Sequence, residues 1–187
     1  MNKKTTKNYI SKKLNIFRWI FDILLLSFCV AVDQITKYFA VLNLKEKQPF
    51  VIWSGVFELN YLENTGAAFG MLKNQKALFV LIVILVLLVI SYILIKSPAS
   101  KKYTLLHISL VLISAGAIGN NLIDRLRFDY VIDFFYIRLI NFPIFNVADL
   151  FVCTGTAILA IVVLFVYKED DFEFLSFRKK TIRQIKE

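Results

Sequence analysis

The chain has 187 residues, 58% of them hydrophobic and 15% aromatic, and a formal net charge of +9. Its mean hydropathy is +0.63. A soluble domain is ordinarily about 45–50% apolar, so the composition argues against a water-soluble fold and for a membrane protein. Two cysteines without a CxxC pair and a single histidine give no metal cluster, so neither a metal nor a cofactor is expected.

Taken in order, residues 1–18 are a basic leader carrying Lys3, Lys4, Lys7, Lys12, Lys13 and Arg18. Trp19–Val41 follows as the first stretch long enough to cross a hydrocarbon core, which takes about 20 residues. It is not pure: Asp22, Asp33 and Lys37 lie within it. Its length, and the lack of a small-residue cleavage site after it, argue against a removable signal peptide. The next 35 or so residues contain FVIWSGVFELNYLENTGAAFGM, in which Phe57, Leu59 and Tyr61 alternate with Glu58 and Asn60. That period fits a strand, with a turn at Ser54-Gly55, so a small sheet is expected on the outer membrane surface.

Ala77–Ile95 is a charge-free second span, KSPASKKY a short basic turn, and Tyr103–Ile123 a third span. Residues 124–149 form a second, aromatic-rich link containing Asp133; Leu150–Tyr167 is the fourth span. Residues 168–187 are a mixed-charge tail, read as solvated and without chemistry. The expected fold is therefore a membrane all-α core of four helices at 19–167, with a small external sheet, all in one domain over 1–187.

Charge sets the orientation. Fifteen Lys and Arg flank the ends of the spans on the side of the termini, against seven on the other side, so both termini are expected in the cytoplasm. Basic flanks beside anionic lipid account for the net charge, and no nucleic-acid partner is expected. Cys29 and Cys153 fall within spans and are read as buried packing residues. Among the acids, Glu46, Glu58 and Glu63 are read as outer-surface groups, Asp22 as wet near the inner end of the first span, and Asp129 as part of a turn.

Four acids remain. The third span runs outward to Asp124 and the fourth runs inward from Asp149, so both lie at the outer boundary; Asp133 joins them in the link. Asp33 lies some eight residues inside the outer end of the first span, roughly 12 Å deep at 1.5 Å per residue. Each has a plain reading. Asp33 and Lys37 can pair at i, i+4; Asp124 and Arg125 can mark the interface; Asn146 and Asp149 have the spacing of a helix cap and its third-position acid. Asp133, set among Val, Ile and Phe, has no such role. Two neighbouring carboxylates cannot both ionise cheaply, so they share a proton. The ionised one can take a proton from water while the other gives one to a carbonyl oxygen.

Five segments, VDQITK (32–37), ENTGAAFG (63–70), GNNLIDR (119–125), VIDFF (131–135) and FNVAD (145–149), resemble in order the signature segments of the lipoprotein signal peptidases, or signal peptidase II. The resemblance covers roughly residues 20–165. It implies an intramembrane aspartic endopeptidase of the bacterial plasma membrane with its active site at the extracytoplasmic face, under an external β-cradle. That family cuts the signal peptide from diacylglyceryl-modified prolipoproteins just before the lipidated cysteine. Carried over by motif, the catalytic dyad falls on Asp133 and Asp149, supported by Asp33, Lys37, Asn64, Asp124, Arg125 and Asn146. The implied partners are lipidated prolipoproteins and membrane lipid, and a monomer is expected.

One segment departs from the pattern. The family commonly reads G-N-x-I-D-R, and GNNLIDR is one residue longer. The interval to Asp124 selects Asn121 as the supporting asparagine; the Gly-Asn dipeptide would select Asn120.

Overall fold

The computed structural model describes residues 3–66 and 75–176, with side chains from residue 15. Helix α1 (Lys3–Leu44) is followed by strands β1 (Phe50–Trp53) and β2 (Phe57–Asn64), then α2 (Lys76–Lys96) and α3 (Thr104–Ala117). A π-helical turn (Ile118–Asp124) carries α3 into the one-turn helix α4 (Arg125–Phe128). Strand β3 (Val131–Ile137) and helix α5 (Val147–Ile161) complete the core, α5 ending in a second π-helical turn (Val162–Val166). Among the described residues, four helical stretches are long and apolar enough to span a membrane: Asn15–Leu44, Lys76–Lys96, Lys101–Phe128 and Val147–Val166.

The third stretch is central. In its most apolar window 61% of residues are buried, against 11% in each of the others. The sequence allows this because the buried C-terminal part of α3 is made of small residues: Ser114, Ala115, Gly116 and Ala117. Gly116 packs against the Ala148 carbonyl and Val152, and a Cβ on Gly155 would stand 2.6 Å from the Ser109 carbonyl oxygen. Helices pack this closely in membranes because lipid offers no hydrophobic drive, so dispersion contacts must supply it. The Ser109 and Ser114 hydroxyls donate to the carbonyls of Leu106 and Leu110 within α3, which removes the cost of burying them.

Helix α1 is turned inside out relative to a soluble helix. Its buried residues, Asp22, Cys29, Asp33, Lys37, Ala40 and Leu44, form one stripe at three-, four- and seven-residue spacing. Ile20, Leu24, Phe28, Ile35 and Phe39 cover the opposite, exposed faces. Asp22 is therefore not wet. Its Oδ2 lies 2.6 Å from His107 Nδ1, and His107 Nε2 lies 2.5 Å from Ser97 Oγ, a buried line joining α1, α3 and the end of α2. This gives Ser97 a paired base that spacing along the chain does not reveal. Of the two cysteines Cys29 is buried, but Cys153 is exposed on the outer face of α5.

The three strands form an antiparallel sheet in the order β1-β2-β3. Gly55, at φ 73°, makes the tight turn between the first two, closed by the Val56 amide donating to the Trp53 carbonyl at 2.9 Å. Strand β3 carries no alternating pattern because its first four residues are all buried, so both faces are apolar apart from Asp133. Glu58 is also buried rather than solvated; Arg138, the residue after β3, covers it with a 2.6 Å bond.

A bulge in β2 decides what faces the acids. Leu59 pairs with Phe135 but Leu62 pairs with Asp133, so one extra residue is taken up in β2 between them. An unbroken register would put Glu63 on the face of Asp133. The shift turns it away and brings Asn64, paired with Val131, diagonally beside Asp133.

Candidate active site

Helix α5 begins where the polar groups of the bundle meet. Asn146 is its N-cap: the side-chain Oδ1 accepts from the Asp149 amide at 3.1 Å, and Asp149 Oδ2 accepts from the Asn146 amide at 3.0 Å. Asp149 thus fills the cap position foreseen for it. The Asn146 amide nitrogen points the other way and donates to Asp133 Oδ1 at 2.6 Å. One asparagine side chain therefore bridges the backbone of one acid and the carboxylate of the other.

Asp133 is 2% exposed and accepts a second bond, at 2.8 Å, from Asn64 Nδ2 on the neighbouring strand. Burial, and then the charge of Asp149, push its carboxyl up to about 7, against the donors Asn64 and Asn146 and the more distant Lys37, which favour the ionised form. A carboxylic acid in this site keeps its proton up to about neutral pH and can donate it there.

Behind the pair lies a closed ionic network. Lys37 has three ammonium protons and three acceptors: Asp33 Oδ2 at 2.9 Å, Asp124 Oδ2 at 2.9 Å and Asn120 Oδ1 at 2.6 Å. Asp33 uses Oδ1 to accept the Ala148 amide at 3.0 Å, so an acid deep in α1 satisfies a free N–H at the start of α5. Asp124 accepts the Ile132 amide at 3.2 Å and so fixes the start of β3. Gln34, which the sequence did not single out, donates to both Asp33 and Asp124, at 3.0 and 2.9 Å. Gly119 permits the arrangement: a Cβ there would stand 2.5 Å from Asp33 Oδ2.

The choice between the two asparagines falls to Asn120. Its Nδ2 donates to Asp149 Oδ1 at 2.9 Å, while its Oδ1 accepts from Lys37 and, at 3.0 Å, from Asn146. Asn121, selected by counting back from Asp124, faces elsewhere and accepts from Arg125 Nε at 3.1 Å. The count fails because Ile118–Asp124 is π-helical. A π turn absorbs one inserted residue, so the Gly119-Asn120 pair keeps its place and the register changes only beyond it. Arg125 does not reach the acids by hydrogen bond. It donates to the Gly66 carbonyl and stacks 4.1 Å from the Phe79 ring of α2, which pins the end of β2 to the bundle. Of ENTGAAFG, residues 67–70 lie outside the described residues, as do residues 177–187 of the tail.

Fold and site define a polytopic helical membrane protein with buried carboxylates gathered at one end of its bundle, beneath a small sheet. Comparison with known proteins narrows this. The family model described as signal peptidase (SPase) II matches residues 25–165. A lipoprotein signal peptidase of Clostridium tetani is 37% identical over 155 residues, covering 81% of this chain and 96% of that protein. One from Caldanaerobacter subterraneus is 42% identical over 144 residues, covering 76% and 95%. A bacterial membrane enzyme solved by the in meso method at 2.3 Å superposes with a TM-score of 0.69 at 28% identity, covering 85% of this chain and 93% of that one. The chain belongs to the signal peptidase II family, and is a multi-pass protein of a bacterial membrane.

Proposed function

We propose that the protein is an aspartic endopeptidase that removes signal peptides from diacylglyceryl-modified prolipoproteins, cutting before the lipidated cysteine, with Asp133 and Asp149 as its catalytic pair. The observation that carries this reading is the Asn146 bridge, which holds two carboxylates together at the mouth of α5 while one of them stays protonated near neutral pH. Asp149 takes a proton from water as the water oxygen attacks the scissile carbonyl carbon, and Asp133 gives its proton to the carbonyl oxygen. The tetrahedral diol then collapses: Asp149 passes its proton to the leaving nitrogen, Asp133 takes one back from a diol hydroxyl, and the C–N bond breaks. No covalent intermediate forms and the pair returns to its starting state.

The distribution of Lys and Arg supports cytoplasmic termini, and with them a site at the extracytoplasmic face. The sheet then lies on the outer leaflet, where the exposed side chains of Phe50, Val51, Ile52 and Trp53 on β1 meet lipid or the substrate's lipid. A diacylglyceryl group anchored in that leaflet holds the adjacent cysteine at one depth, turning a search along a mobile apolar peptide into a positioned reaction. We read residues 1–187 as one domain acting as a monomer.

The decisive experiment is cleavage of a synthetic prolipoprotein precursor, with and without its diacylglyceryl group, by purified protein in micelles. The lipidated form should be cut far faster, and EDTA should leave the rate unchanged. Equal kcat/KM for the two substrates would overturn the positioning mechanism; a chelator-sensitive rate restored by zinc would overturn the aspartic one.

A further inference from the structure

At the end of the bundle remote from the acid pair, the buried line Asp22–His107–Ser97 meets a cavity of about 300 Å³. We propose that this is a second reaction centre, which hydrolyses short acyl esters with Ser97 as nucleophile, His107 as its base and Asp22 orienting the base. The centre shares no residue with the acid pair and does not depend on the peptidase reading.

His107 uses both ring nitrogens: Nδ1 lies 2.6 Å from Asp22 Oδ2 and Nε2 lies 2.5 Å from Ser97 Oγ. A hydroxyl within reach of a base that a third group orients is the arrangement that activates serine, and geometry defines it, not order along the chain. With Nδ1–H donated to Asp22, Nε2 is left to take the hydroxyl proton. The backbone sets Ser97 in place. It closes α2 in an extended conformation, φ −67° and ψ 140°, because Pro98 disfavours the helical region at the residue before it. Its amide still donates to the Ile93 carbonyl at 2.9 Å, which holds the residue to the helix. Ser97 and His107 both line the cavity. Exposure rises along the line towards the nucleophile, from 3% at His107 and 4% at Asp22 to 9% at Ser97. Trp19, Leu94 and Ile95 give the wall an apolar part for an acyl chain, while Asn15 and Lys96 offer donors to an oxyanion. Small-ligand sites span about 300–1,000 Å³, so a cavity at the bottom of that range takes a short chain.

Ser97 Oγ attacks the ester carbonyl carbon as its proton passes to His107 Nε2. The imidazolium returns that proton to the departing alcohol oxygen, the C–O bond breaks, and an acyl-serine remains. Water then attacks the acyl carbon and gives a proton to His107. The acid leaves, and Ser97 Oγ takes the proton back.

The test uses the full chain, purified in a neutral detergent, with two probes: an alkyl fluorophosphonate, which traps activated serines, and p-nitrophenyl butyrate. Intact mass should show one phosphonate adduct per chain, and peptide mapping should place it on Ser97. This arm needs no variant and so does not depend on any variant folding. Ser97→Ala and His107→Gln should each lose the adduct and slow butyrate release at least tenfold, with Ser97→Ala still cutting prolipoprotein at the wild-type rate. Asp133→Asn, which stops the peptidase, should keep the adduct, so the two readings can fail separately. Absence of an adduct, an adduct on another residue, or equal butyrate release by wild type and Ser97→Ala would each overturn the centre. A line that serves only to satisfy buried polar groups predicts the first of these results.

Discussion

The two ends of this bundle are each built around buried charge, and they solve its cost in opposite ways. At the end beneath the sheet, the Lys37 ammonium is saturated by two carboxylates and an amide, and Asp33, Asp124, Asn120 and Asn146 all share partners. At the other end, the line Asp22–His107–Ser97 joins three helices but leaves Asp22 Oδ1 and Arg18 Nη1 without a partner among the described residues. Burial of ionisable groups is thus common to both and marks neither as catalytic. What distinguishes the first end is that two acids, Asp133 and Asp149, are joined beside the sheet through the single side chain of Asn146.

That comparison can be broken most severely at the pair itself. Asp133→Asn and Asp149→Asn should each lower kcat/KM by roughly 10²–10⁴-fold, the usual worth of a positioned acid or base. Circular dichroism should show the helices intact, and cleavage within a few-fold of wild type by either variant would end the assignment. Next in size is Lys37→Met. It strands two buried carboxylates, so it should cost about 3–5 kcal/mol of stability and abolish activity with it. The matching change at the far end, Asp22→Asn, should cost only about 1–3 kcal/mol, as for an imperfectly met buried group, and leave kcat/KM unchanged. A reversed order of these two would show that the Asp22 cluster, not the Lys37 cluster, organises the bundle.

The pH profile sharpens the contrast further. The Asp133 carboxyl sits at about 7, above its ordinary 3.8, so the proton it donates is present below pH 7 and lost above it. The rate should therefore fall about tenfold per unit on the alkaline side. Because the folded value is the raised one, Asp133 also makes stability decline as pH rises from about 4 to about 7, a slope that Asp133→Asn should remove. Asn64 donates to Asp133 and favours its ionised form, so Asn64→Ala should reduce turnover modestly and move the alkaline limb upward. A downward shift would contradict the assigned proton. The smallest effect separates neighbours: Asn120→Ala should slow cleavage more than Asn121→Ala, since only Asn120 touches Asp149.

Much of this was legible in the chain. Four spans, the turn at Gly55 and the helix start at Asn146 follow from apolar length, a residue that tolerates positive φ, and a side chain that caps, all of which act over a few neighbouring residues. The set of acids that meet was legible too, because a membrane forces the helices to alternate direction and so returns Asp124 and Asp149 to one depth. Asp22 and Glu58 were misjudged for the converse reason: whether an acid is wet depends on what packs over it, and His107 and Arg138 come from distant parts of the chain.

Two decisions belonged to the tertiary structure alone. The bulge in β2 sets Asn64 instead of Glu63 against Asp133, and the π turn after α3 sets Asn120 instead of Asn121 against Asp149. Both are one-residue changes of phase. A sequence determines which residues can form a strand or a helix through their period, but where that period slips depends on which slip lets the buried polar groups find partners. Those partners lie 69 residues apart in one case and 29 in the other, beyond the reach of any local pattern.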